Sequence, residues 1–137
     1  MAGNCIAGAG HLSLPCLYAV KPNISSCQSG ITSDAARAVA LAQINRLRAL
    51  SGLPAVQYDS TSDIETADAA LMMTANNALS HTPPDTWFCW TEDGFAGAGA
   101  SNLHRGWSTD LKLPDPLEAV NAFLIDFDVE SLGHRRW

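Results

Sequence analysis

Residues 63 to 84 read DIETADAALMMTANNALSHTPP, and the rest of the chain is organised around them. Ile64, Ala67, Leu71, Ala75 and Ala78 recur at three- and four-residue steps, which is the spacing of one apolar helix stripe. The periodicity predicts a helix from about Thr61 to Ser80. Ser60 and Asp63 resemble a capping box at its start, with Asp in place of the usual Glu. Most of the stripe is alanine, so a neighbouring element can approach closely. Pro83 and Pro84 cannot continue a helix, and Thr82, as a pre-proline residue, is pushed towards extended backbone. His81 is thereby expected at the exit of a rigid rod, as half of a two-histidine site whose other half is His134.

Helices are also signalled on both sides. Thr32 or Ser33 can cap a first helix, with Asp34 favourable to its dipole. Its apolar line is Ala40, Ile44, Leu47 and Ser51, widened by Ala36, Val39 and Leu50. Gly52 suits a left-handed C′ position, followed by Leu53 and the stop at Pro54. Val56-Gln57-Tyr58 reads as a stub of strand. Asp115 as N-cap, Pro116 at N1 and Glu118 at N3 open a third helix. Val120, Phe123, Leu124 and Phe127 form its expected stripe, with Asp126 at the margin. Residues 1–30 read as loop, and residues 31–137 as one domain. The Gly- and Ala-rich run from Glu92 to Ala100 lacks the strand and the Gly-Lys-Ser/Thr of a phosphate loop, so it reads as a small-residue segment packed against a helix. Trp87, Trp90 and Trp107 either line an apolar surface or cover a core.

Composition narrows the classes of function. A chain of 137 residues with 47% apolar content suits one globular domain. A formal charge of −6 with scattered basic residues argues against nucleic acid or anionic membrane as partner. No stretch is long and apolar enough for a transmembrane segment, and the N-terminus lacks the pattern of a signal sequence. Cys5, Cys16, Cys27 and Cys89 include no C-x-x-C pair, which disfavours a zinc ribbon. An even number on loops points to two disulfides and an oxidising compartment, the alternative being four free thiols. Three pairings are possible; the favoured one is Cys27–Cys89 with Cys5–Cys16, because the first ties the helix entrance to the loop beyond His81.

Five short motifs follow in order: Asn45-x-x-Arg48, Gly52-Leu53-Pro54, Leu79-Ser80-His81, Ser101-Asn102-Leu103 and Gly133-His134-Arg135-Arg136-Trp137. From about Ile31 to Trp137 the pattern resembles the CAP superfamily. That family includes cysteine-rich secretory proteins, venom allergens, plant pathogenesis-related proteins and bacterial SCP-like extracellular domains. The resemblance implies an α+β fold, a CAP-type α/β/α sandwich. In the family most of the sheet follows the Gly-His motif, where this chain stops, so a mostly helical domain incomplete at its C-terminus is expected. The resemblance also implies a cleft of two histidines and two acidic residues that holds a divalent metal in some members. His81 and His134 match the histidines. Asp126 falls where the family has a glutamate, and Ser101 replaces the other glutamate, so one carboxylate is missing.

Neutral imidazole and carboxylate are good zinc donors, and His81, His134 and Asp126 would leave a fourth position for water. A serine triad through Ser101 lacks the G-x-S-x-G elbow and any visible oxyanion hole. The expected function is an extracytoplasmic binding or interaction domain, secreted or in the cell envelope, with no catalytic residue assigned. Its cleft residues are His81, Ser101, Asp126 and His134, with zinc or another divalent metal as the cofactor and a small molecule, lipid or peptide as ligand. The alternative is a metal-dependent hydrolase or peptidase with a zinc-bound water as nucleophile.

Overall fold

The computed structural model describes residues 16–106, 116–127, 130–131 and 133–136. Among them the architecture is mixed α/β and mostly helical. β1 (Tyr18–Val20) and β2 (Ile31–Thr32) form a two-stranded sheet. The helices are α1 (Asp34–Leu50), α2 (Asp63–Asn76), α3 (Glu92–Ala100) and α4 (Pro116–Ile125). Short 3-10 turns occupy Ile24–Ser26 and His134–Arg136. No helix of the described residues is long and apolar enough to cross a membrane. Two compact units result. One is built on α2 and α3 (Tyr18–Ile31 and Asp59–Leu103), the other on α1 and α4 (Thr32–Tyr58 and His104 onward, with the segment up to Leu17).

In the α2–α3 unit, α2 is shorter than its periodicity predicts, and its buried face overlaps the predicted stripe only in part, at Leu71. Asn77 takes φ +52°, and its N–H and that of Ala78 bond back to carbonyls in the last turn, so the helix ends at Asn76. Asparagine tolerates this left-handed conformation. The buried residues are Ala69, Leu71, Met72 and Met73, whereas Ile64 is 66% exposed. Ala69, Met72 and Met73 lie off the predicted stripe, on a side of the helix that also carries Asp68 and Asn76. Thr91 Oγ1 donates to Asp68 Oδ2 at 2.9 Å, and Asn76 bonds the loop after α2. Ser62, and not Ser60, occupies the N-cap position, and its side chain makes no capping bond.

α3 was not foreseen as a helix. Its start is nevertheless well formed, with Thr91 Oγ1 accepting from the Gly94 N–H at 2.9 Å and two acids in the first turn. Its three glycines conceal it in the sequence. At Gly97 an added Cβ would stand 2.2 Å from the Glu65 carbonyl oxygen, so the two helix backbones touch there without side chains between them. Gly94 meets the Asp68–Ala69 peptide of α2 in the same way, at 3.2–3.3 Å. Ala98, Ala69 and Met73 form the core of this unit, with Trp87 and Leu103 packed on it.

The segment expected as loop before residue 30 holds β1 and a 3-10 turn. Asn23 Oδ1 accepts from the N–H groups of Ser25 and Ser26 and starts that turn. Cys27 and Cys89 form the expected disulfide, with Cα atoms 5.1 Å apart. Cys16 is also disulfide-bonded. Its expected pairing with Cys5 lies outside the described residues.

In the α1–α4 unit, Ser33 caps α1, its Oγ accepting from Ala36 N–H at 3.1 Å while its hydroxyl donates to the Cys16 carbonyl. Gly52 takes φ +71° and Leu53 N–H bonds to the Arg48 carbonyl, which is the left-handed ending its sequence predicts. Val56-Gln57-Tyr58 is not a strand. The Asn45 amide accepts from Val56 N–H at 2.8 Å and donates to Val56 C=O at 2.9 Å, so one side chain takes the place of a partner strand. Arg37 lies over the Tyr58 ring at 5.4 Å. α4 begins at Pro116 as expected; Asp115 lies outside the described residues. None of its predicted stripe is fully buried: Val120 and Phe123 are half-buried, while Leu124 is 38% and Phe127 82% exposed. The helix stops before Phe127 reaches the inner face.

Two changes test this packing. Gly97→Ala is expected to lower stability by about 1–3 kcal/mol, the usual range for overpacking. Gly99→Ala, where the nearest atom is 3.6 Å away, is expected to be neutral or to stabilise by up to about 1 kcal/mol. Urea unfolding of both variants checks the contrast. The Cys27–Cys89 bond spans 62 residues. Loop-closure entropy predicts a loss of about 4 kcal/mol when both cysteines are replaced by alanine.

Candidate functional site

Two of the expected site residues meet at the end of α4. The helix stops at Ile125 because Asp126 takes φ +53°, a conformation that aspartate reaches more readily than most residues. Its N–H still bonds to the Ala122 carbonyl at 2.9 Å, but its side chain turns inward. Asp126 is 4% exposed, buried although it stands at the margin of the expected α4 stripe. Oδ1 lies 2.7 Å from His134 Nδ1, and Oδ2 accepts from the Arg135 N–H at 3.4 Å.

The turn at His134–Arg136 supplies the partners. Arg135 Nε donates to the Leu124 carbonyl at 2.6 Å, and Nη2 donates to Ile125 at 3.2 Å. These belong to the last carbonyls of α4, which have no partner inside the helix, and a cation there also suits the helix dipole. The His134 ring lies 5.5 Å from Phe123, which in turn meets His104 edge-on at 6.0 Å. The approach of His104 to Phe123, and the bonds of Arg135 to the end of α4, were not foreseen. Arg135 stands in the Gly133–Trp137 motif, but nothing in that motif indicates that it caps α4, and no sequence signal marks His104.

Burial alone would raise the pKa of Asp126. The hydrogen bond from His134, the Arg135 N–H and the charge of His134 outweigh it, and the carboxyl is held below its ordinary value. A carboxylate on Nδ1 directs the Nδ1–H tautomer of neutral imidazole and fixes the orientation of the ring. Both Asp126 oxygens are bonded and the side chain is fully buried, so its role in this geometry is to orient the imidazole.

His81 and Ser101 belong to the α2–α3 unit, at the other end of α3. His81 Nδ1 donates to the Ala98 carbonyl at 2.7 Å, satisfying one of the final carbonyls of α3. It therefore caps a helix end, as a histidine after a helix often does, but the helix is α3 and not its own. Ser101 follows as the C-cap residue with φ −112° and ψ 154°. Among the described residues no group of three or more His, Cys, Asp or Glu side chains is placed to hold a metal ion. The chemistry open to the α4 site is that of an oriented imidazole beside an aromatic ring. No family model, curated protein or solved structure matches this chain.

The lowered carboxyl pKa carries a sign. Asp126 stabilises the fold above its unfolded pKa of about 3.9, and the contribution is lost as pH falls through the lower folded value. The melting temperature should therefore fall as pH drops below about 4. Asp126→Asn keeps a residue suited to positive φ and removes the charge. It is expected to flatten that acid limb and to lower the melting temperature at neutral pH. Melting curves from pH 2 to pH 7 provide the measurement, and an unchanged slope in the variant would contradict the assigned pair.

Proposed function

We propose that the chain is an extracytoplasmic binding module of the CAP type, acting through recognition and not turnover. The observation that carries this reading is the buried Asp126 carboxylate on His134 Nδ1 at 2.7 Å, which uses the two positions that the resemblance implies for a histidine–acid pair. The pair presents an oriented imidazole next to Phe123, so a ligand with one polar group and an apolar body suits it. The Cys27–Cys89 disulfide supports an oxidising compartment, secreted or in the cell envelope. The resemblance adds the CAP sandwich and a small molecule, lipid or peptide as ligand.

The test uses protein exported to an oxidising compartment. Organic extracts are analysed by mass spectrometry, and a panel of fatty acids, sterols and short peptides is titrated by calorimetry. A bound or titrating amphipathic ligand is expected, with affinity reduced about tenfold or more in His134→Ala, the loss of one anchoring contact. A clean extract with no titrating ligand, or a ligand bound equally well by His134→Ala, removes the reading.

A further inference from the structure

The charge of this chain is not shared between its two units. The α2–α3 unit holds seven acidic residues and one lysine, Lys21, and so carries the whole formal charge of −6; the other unit balances to zero. The same unit exposes large apolar side chains close to its carboxylates. Phe88 is 54% exposed, Phe95 43% and Ile24 41%. They are linked through the residues between them. Cys89, next to Phe88, has its Sγ 3.4 Å from the Ile24 carbonyl, and Trp90 lies with its ring centroid 6.3 Å from that of Phe95. Glu92 is one helical turn before Phe95, and Asp93 follows it; both are exposed. Neither has an ion-pair partner among the described residues.

The scaffold beneath is fixed. Phe88 is bonded through both its N–H and its C=O to the Asn76 amide, Cys89 is held by the disulfide, and α3 rests directly on the α2 backbone at Gly97. Two exposed rings on a rigid base, with carboxylates beside them, match a partner that alternates apolar and cationic side chains. Leucine-type side chains would cover the rings, and lysine or arginine would meet both the carboxylates and the negative ring faces. An anionic lipid surface or a nucleic acid would be repelled by a unit of this charge. We propose that the Phe88–Phe95 surface docks a cationic amphipathic peptide segment of a partner protein. This does not rest on the CAP reading, because it uses neither His81 nor the Asp126–His134 pair.

The full chain is titrated against three fluorescent helical peptides of equal length, one of Lys and Leu, one of Glu and Leu, and one of Lys and Ser. Fluorescence anisotropy is read at low and high salt. Only the Lys/Leu peptide should bind well, and more weakly at high salt. The double variant Phe88→Ala with Phe95→Ala should lose about tenfold or more in affinity, as for central interface aromatics. Glu92→Gln with Asp93→Asn alters exposed groups only; it should weaken binding at low salt and reduce the salt dependence. Ile64→Ser, which changes an exposed apolar residue on α2, should bind like the wild type. Equal binding of the Lys/Leu and Glu/Leu peptides overturns the proposal. So does unchanged binding in the carboxylate variant, or competition by zwitterionic phosphatidylcholine vesicles that is lost in the Phe88/Phe95 variant.

Discussion

The contact at Gly97, where α3 lies on the Glu65 carbonyl of α2 with no side chain between, is the constraint on which the better-packed half of the molecule depends. At that separation neither helix can slide or rotate without a collision between main chains. The register so fixed brings Thr91 to Asp68 and puts Ala98 into the core with Ala69 and Met73. It also aims the end of α3 at His81, whose ring then completes one of the unpaired carbonyls there. Dispersion and apolar burial hold the pair together, but the glycines determine which pairing is possible.

The other unit uses a different device. α4 is closed from outside by a short turn whose arginine takes two of its last carbonyls and whose histidine takes the carboxylate of Asp126. A positive φ at Asp126 makes this possible, because it turns the side chain away from the helix surface. The same geometry that ends the helix thus buries an acid, lowers its pKa and orients an imidazole.

Signals confined to a few neighbouring residues were legible in the sequence. Ser33 as a cap, Gly52 as a left-handed ending and Pro116 at a first turn each depend on local backbone chemistry, and each occurs. The Cys27–Cys89 pairing, favoured as a tie between the helix entrance and the loop beyond His81, also occurs. Features set by tertiary contact were not. The inner face of α2 carries Asp68 and Asn76, which an apolar period cannot count, and α3 is a helix whose glycines serve its neighbour and not its own stability. Of the candidate site, Asp126 and His134 were named from the resemblance. The burial of Asp126 and the caps made by Arg135 and His81 depend on partners across turns, outside any one helical period, which the periodicity does not encode.

Asn45 and Asn76 each stand in for a peptide group, giving and accepting a hydrogen bond with the backbone of Val56 and of Phe88. Aspartate has nearly the same volume but no N–H to give. Hydrolytic loss of ammonia at either position would therefore remove a donor and set a negative charge against a carbonyl oxygen in a single event. Chemical ageing of this protein would then first free the loops that these two amides fasten, while the helices carrying them stayed intact.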